Sequence, residues 1–506
     1  LQKKNLNFVT LTLVNNKLIK MSQEIRNLEP KELWNKFADL NAVPRPSKKE
    51  DRVIEFMKNF GNSLGLETFE DDIRNVIIRK PATPGMENRK ALVLQGHLDM
   101  VHQKNGDTIF DFDTQGIDMY VDGDWVRARG TTLGADNGLG VAMIMAILES
   151  KTIKHPAIEA LFTIDEETGM TGALNLKGGI LRGDILLNMD TEEDDEIGIG
   201  CAGGIDVTAN RSYNEEEIPE GSVGYLITVK GLNGGHSGMD IHKGLGNANK
   251  IMNRLLFDGF ENFGLQVAEI NGGSLRNAIP RESNAKVIVA GMYDEAFVFD
   301  MQEIISDIKA EFKTMEPNLT IEIVKSDLPS KVMDLGVQEG LIRSIYAAHN
   351  GVYRMSADIP ELVETSNNIA RVIVKDGEIT IQNLTRSSVE SSKFDLANAL
   401  RSAYELFGCE VECSGSYPGW TPNVNSEILD LLVTIYEKQN NEKPNVAACH
   451  AGLECGILGT NYPDMDMISF GPTIHGAHSP DERASIKSSQ KFYKFVLEIL
   501  ENIPVK

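Results

Sequence analysis

Two hydrophobic periods alternate along the chain, and the switch between them divides it. From Lys31 to about Asn210, short apolar runs of strand length (Ala91 to Leu94 in ALVLQGHLDMV, IEALFTIDEETG, DILLNMDTEE) alternate with longer stretches of helical period (VIEFMKNFGNSLGL, NGLGVAMIMAILES). Runs that are apolar on both faces suit strands covered by helices on either side, so this region predicts an α/β domain with a mostly parallel sheet. Between about 206 and 407 the period drops to two, in SVGYLITVKGL, NAKVIVAGMY, LTIEIVKS and ARVIVKDGEITIQNLT. That alternation belongs to half-exposed antiparallel strands, and Asp376-Gly377 predicts a hairpin turn between two of them. With the helical stretches GNANKIMNRLLFDG and FVFDMQEIISDIKAEF between the strands, the middle region reads as an α+β domain with one sheet face covered. After SKFDLANALRSAYELFG the α/β character returns in NSEILDLLVTIYEKQNN and DMDMISFGP. The simplest organisation is one α/β domain in two parts, 21–205 and 408–506, interrupted by an α+β domain at 206–407. Met21 reads as a natural start, opening a helix entered through Pro30. Residues 1–20 read as an N-terminal extension with no assigned role, without the cleavage pattern of a signal peptide.

Composition narrows the function. With 74 acidic against 50 basic residues and a formal charge of -24, the chain has no basic stripe for nucleic acid or an anionic membrane. Five cysteines (201, 409, 413, 449 and 455) are odd in number and lack a paired CxxC, which predicts reduced thiols in a cytoplasmic protein. No apolar run approaches the roughly 20 residues that span a bilayer.

The chemistry gathers where strands end. His97 and Asp99 close an apolar run, and side chains two residues apart share one side of an extended chain. Taken singly, each such residue has an ordinary role. His97 suits a histidine satisfied by a carboxylate, Asp136 in GTTLGADNGLG a helix N-cap, Glu166-Glu167 a solvated turn, and His478 in HGAHSPDE a turn residue. Asp190 in NMDTEE is equally ordinary alone. Together, two histidines and three carboxylates without a cysteine make a sensible donor set for two divalent ions, one carboxylate bridging them. A further carboxylate off the metals would move the proton of a water, and an aspartate beside a ligand histidine would fix its ring.

The motifs GHLDMV, GTTLGADNGLGVA, TIDEETGMTGA, NMDTEE, GGHSG, RNAIPRE, AGLECG and GPTIHGAHSPDE resemble the aminoacyl-histidine dipeptidase branch of the co-catalytic zinc exopeptidases. They run in order through both predicted domains. The resemblance implies a di-zinc catalytic domain interrupted by a lid that closes over substrate and dimerises. It implies that His97 and Asp190 hold one ion and Glu167 and His478 the other. Asp136 would bridge them, through a strained peptide before Asn137. Glu166 would be the general base and acid, and Asp99 the aspartate behind His97. His236 in GLNGGHSG would reach a partner subunit's site to stabilise the oxyanion. Asn277 and Arg386 would take the substrate's C-terminal carboxylate, and Gly452 would line the pocket through its backbone. His450 and His475 match no ligand. The expected activity is hydrolysis of Xaa-His dipeptides, β-alanyl-histidine among them, by a cytoplasmic homodimer carrying zinc, with manganese or cobalt as alternatives. The alternatives to that activity are a tripeptidase, deacylase or desuccinylase of the same family, or a non-catalytic binding protein of the same fold.

Overall fold

The apolar runs of the first region become the centre of an eight-stranded sheet in the computed structural model, which describes residues 24–506. Residues 1–20, read above as an extension, lie outside the described residues. Two compact units emerge. The first takes the chain up to Ile199, Pro422–Ala447 and Ile457–Lys506, and the second takes Gly200–Thr421 with Ala448–Gly456. The return to the first unit, expected at 408, therefore comes at Pro422. The strand Glu410–Tyr417 pairs antiparallel with Gly203–Ser212 at the edge of the second unit's sheet.

In the first unit, Ile158–Thr163, Leu92–His97, Ile185–Asn188 and Asp466–Ser469 lie side by side and parallel. Glu67–Glu70 and Val76–Lys80 continue one edge antiparallel. All residues of Leu92–His97 and Ile158–Thr163 are buried, Leu92 to Leu94 as the apolar run predicted and the polar Gln95, His97 and Glu159 as well. The helix Ala135–Glu149 is buried from Asn137 to Leu148 and lies against Leu92–His97 and the helix Lys31–Asn41, whose N-cap is Pro30. Its approach depends on small residues, since a Cβ at Gly140 would sit 2.4 Å from the Met189 carbonyl oxygen. A small antiparallel sheet joins Met119–Asp122, Trp125–Ala128, Arg483–Ser485 and Ile474–His475.

The second unit is a nine-stranded antiparallel sheet. The predicted hairpin is present: Lys375 pairs with Glu378, with Asp376 at φ 52° and Gly377 at φ 79°. Helices Ala248–Phe263, Asp294–Phe312, Leu335–Ala347 and Glu390–Leu406 contribute to its core, where Tyr225, Phe297, Met301, Leu341, Leu400 and Tyr404 are buried. Among the described residues no helix is long and apolar enough to cross a membrane.

Candidate metal centre

Parallel strands present their carboxyl ends along one edge of a sheet, and the first unit uses that edge. His97 is the last residue of its strand, Asp165 to Glu167 follow Ile158–Thr163, and Asp190 follows Ile185–Asn188. Asp136 enters at the start of the long helix, and His478 comes from the loop before Arg483–Ser485, in a left-handed backbone at φ 63°. Asp136 is not a conventional N-cap. Its φ/ψ of -79°/116° is extended, its peptide bond to Asn137 is cis, and its carboxylate faces two histidines. Oδ1 lies 3.2 Å from His97 Nε2, and Oδ2 lies 3.2 Å from His478 Nε2. Asp190 Oδ1 is 3.4 Å from the same nitrogen of His97, and Glu167 Oε2 is 2.9 Å from that of His478. Each histidine thus has its own carboxylate, and Asp136 is shared.

The atoms suit a pair of cations. Glu167 Oε1 and Asp190 Oδ1 are buried without a hydrogen-bond donor, which is costly for a carboxylate oxygen unless a cation meets it. His97, Asp136 and Glu167 each bring one donor atom within 4.8 Å of the others. Imidazole and carboxylate oxygen together match zinc, manganese or cobalt. The charge balance is uneven. Burial pushes the Glu167 and Asp190 carboxyls up, and His478 and His97 respectively offset that only in part. The two carboxylates bonded to the His478 imidazole, Asp136 first and then Glu167, push it up to about 11. His478 has a side chain 55% exposed, whereas His97 and Asp99 are fully enclosed.

Asp99 ties this arrangement together. Its Oδ1 lies 3.4 Å from His97 Nδ1 and accepts the Glu166 N–H at 3.0 Å, while Oδ2 accepts the Glu167 N–H at 3.3 Å and the Ser47 hydroxyl at 2.8 Å. Burial would raise its pKa, but the neighbouring His97 and the bond from the Glu166 amide outweigh that and keep it ionised. One carboxylate therefore orients the histidine, the glutamate pair and the strand end.

Three charged residues here were not singled out from the sequence. Glu192, two positions past Asp190, has its carboxyl pushed up to about 8 by burial and then by Asp136. Glu482 and Arg45 are both buried behind the Asp136 loop. Glu482 closes the quoted HSPDE stretch, which was its one visible signal; Arg45, between two prolines, carried none.

In the second unit, His236 and Arg386 come together. His236 Nδ1 accepts the Gly238 and Met239 N–H groups at 3.2 and 3.0 Å, so the ring proton sits on Nε2. That nitrogen lies 3.5 Å from Arg386 Nη2, which brings two donors side by side. Burial, and then the guanidinium, push His236 down to about 4, which keeps it neutral. Arg386 is itself buried and steadied by the Tyr417 hydroxyl at 2.9 Å. Asn277 joins the same loop through its backbone oxygen, which accepts the Ser237 N–H at 2.8 Å; its side chain is exposed. Gly452 is half-buried in the segment held by bonds from Ala202 N–H to the Cys449 and Ala451 carbonyls. His450 bonds Ser366 Oγ at 2.8 Å, and His475 packs on Trp125 beside Glu193.

A shared carboxylate between two histidine–carboxylate pairs is the donor pattern of a dinuclear hydrolase. Residues 93–502 match peptidase family M20/M25/M40, and the chain belongs to that family of peptidases. Over 486 residues it is 44% identical to the cytosol non-specific dipeptidase of Escherichia coli (strain K12), covering 96% of this chain and 100% of that one. The crystal structure of aminoacylhistidine dipeptidase from Vibrio alginolyticus superposes with a TM-score of 0.89 at 43% identity, over 96% of this chain and 99% of that one. A tripeptidase from Staphylococcus aureus, at 16% identity and a TM-score of 0.55 over 94% and 99% of the two chains, shares the fold alone. The family expected from the motifs is the one found.

Proposed function

We propose that the chain is a metal-dependent dipeptidase that hydrolyses Xaa-His dipeptides, β-alanyl-histidine among its candidate substrates. The observation that carries this reading is Asp136, one oxygen on each of two histidines, beside the undonated oxygens of Glu167 and Asp190. The names of the two similar proteins, an aminoacylhistidine dipeptidase and a non-specific dipeptidase, support a dipeptide substrate and differ on its breadth. His97 and Asp190 would hold one ion, Glu167 and His478 the other, and Asp136 both; zinc fits the donors, as do manganese and cobalt. When bound, two such ions supply Lewis acidity that polarises the scissile carbonyl and makes a water acidic enough to ionise near neutral pH.

The remaining work falls to the chain's own groups. Glu166, held by its amide on Asp99, takes the proton of the attacking water and delivers it to the departing amine. Arg386 offers a guanidinium to the substrate's terminal carboxylate, aided by Asn277, with Gly452 as a backbone wall. His236 presents Nε2–H to the oxygen that gains charge, and it does so across a homodimer joined through the second unit. The five cysteines, none in a disulfide among the described residues, and the word cytosol in the name of the Escherichia coli protein support a cytoplasmic location.

The test is release of free histidine from β-alanyl-histidine and from α-linked Xaa-His dipeptides, with chelated and zinc-restored protein side by side. Zinc-dependent release is expected. No release from protein with bound metal would move the activity to tripeptides or acyl amino acids. Light scattering checks the dimer, and a strict monomer removes the cross-subunit role of His236.

A further inference from the structure

The backbone that carries Asp136 is held from both sides by buried opposite charges. Glu482 is 2% exposed and accepts four successive backbone N–H groups. Oε2 takes Leu133 at 2.6 Å and Gly134 at 2.9 Å; Oε1 takes Ala135 at 2.7 Å and Asp136 at 3.3 Å. Consecutive amides converge in this way only where the chain curls, here through Gly134 at φ 69°, and the result is an anion-binding nest filled by the protein's own carboxylate. Arg45 is 1% exposed and grips the carbonyl side. Nη2 donates to the Gly134 oxygen at 2.5 Å, and Nη1 donates to the Leu98 and Asp99 oxygens at 3.1 and 2.9 Å. Arg45 therefore bonds both the chain just past His97 and the loop just before Asp136. Glu482 lies four residues past His478, so its grip links the His478 loop to that same turn.

We infer that Glu482 and Arg45 are positioning residues that clamp residues 133–136, fixing the carboxylate of Asp136 between His97 and His478. The inference rests on the proposed ligand role of Asp136. Desolvating two charges for stability alone is poor value, since apolar residues of similar size often stabilise as well. What the charges add is a fixed location for the backbone on which the shared carboxylate is mounted.

The test is a titration of chelated protein with Zn2+ or Co2+ alone, followed by calorimetry or the cobalt absorption bands. Glu482→Gln keeps the shape but turns an amide donor toward backbone donors, and the affinity is expected to fall about 10–100-fold. Glu159→Gln is the control, a buried carboxylate that also accepts backbone amides, from Arg182 and Gly183, but lies near the opposite end of its strand. It is expected to lower the melting temperature and leave metal affinity unchanged. Equal loss of affinity in both variants, or wild-type affinity in Glu482→Gln, would overturn the clamp. Should Glu482→Gln fail to fold, Arg45→Lys, which keeps the charge but not the forked grip, is read in the same titration, and wild-type affinity there overturns the inference. Failure of wild-type protein to bind either ion would instead refute the proposed ligand set.

Discussion

Replacing Asp99 by asparagine isolates the group that organises the candidate centre without changing its size. The aspartate has four partners, with Glu166 N–H and His97 on Oδ1 and Glu167 N–H and the Ser47 hydroxyl on Oδ2. Asparagine keeps one acceptor oxygen. If that oxygen stays toward Glu166 and His97, the amide –NH2 faces Ser47, whose hydroxyl can turn to accept, and the Glu167 N–H, which cannot. A buried N–H left without an acceptor costs about 1–3 kcal/mol, and the charge behind His97 is lost as well. The substitution is expected to lower metal affinity about 10–100-fold, the usual effect of losing a carboxylate behind a ligand histidine. Turnover at saturating metal should also fall, because Glu166 hangs from the same carboxylate. Calorimetric metal titration and histidine release from β-alanyl-histidine read the two effects separately, with far-ultraviolet circular dichroism as the check on folding. Wild-type affinity and wild-type turnover together in Asp99→Asn would refute the reasoning.

Glu166→Gln removes the proposed base and is expected to lower kcat about 10²–10⁴-fold with metal content intact, measured by single-turnover assay and metal analysis; retained turnover rules out the assignment. Arg386→Met should cut kcat/KM about 10–100-fold for dipeptides with a free C-terminus and far less for their amides; equal losses on both would mean that the arginine does not read the carboxylate. His450 and His236 each contribute a loss of folding stability on acidification below about pH 6.5. His450, pushed down to about 3 by burial and then by Arg386, and His236, pushed down to about 4, stay neutral when folded but take up protons when unfolded, from the ordinary value of 6.5. The slope from His450 is up to about 1.4 kcal/mol per pH unit, less from the half-buried His236, and from pH 7 to 5 the urea midpoint of the wild type should fall relative to that of His450→Gln. An unchanged profile in that variant contradicts the account.

Much of the centre was legible because strand ends are local signals. An apolar run that stops at His97 and resumes polarity at Asp99 carries its own explanation, as does Ile185–Asn188 running into Asp190. The Asp376-Gly377 turn was equally local, since its left-handed backbone is what those residues permit. Glu482 and Arg45 were not legible. The amide of Asp136 is 346 positions from the carboxylate it meets, and nothing in the spacing announces that a backbone curl needs an anion. Strand Glu410–Tyr417 was missed for the opposite reason. It is mostly exposed at a sheet edge, so it carries little of the apolar alternation that marks its neighbours. The division of labour between Glu166 and Glu167 came from family resemblance. In the structure, Glu167 has the oxygen on His478, and the backbone amides of both glutamates share Asp99.

Electrostatics make the strongest demand on the proposed ions. The carboxyls of Asp99, Asp136, Glu167, Asp190, Glu192 and Glu482 gather around His97, His478 and Arg45. Burial pushes Glu167, Asp190, Glu192 and Glu482 upward, the last to about 7. Burial would raise Asp99 and Asp136 too, but both face histidines directly and are held below the ordinary carboxylate value. Without metal, such a cluster limits its own repulsion by keeping protons; divalent cations remove that need and bind only where the donors are assembled. Ligand that binds the folded state alone stabilises it by about 2.7 kcal/mol at a hundredfold excess over Kd. Chelation should therefore lower the melting temperature, and zinc should restore it in proportion to the logarithm of its free concentration. Glu167→Gln, which removes a ligand charge and some repulsion at once, should melt higher than wild type when both are chelated and lower when both are loaded. That crossing of the two orders is the signature of a site built for cations; parallel melting in both states would mean that the acidic cluster holds none.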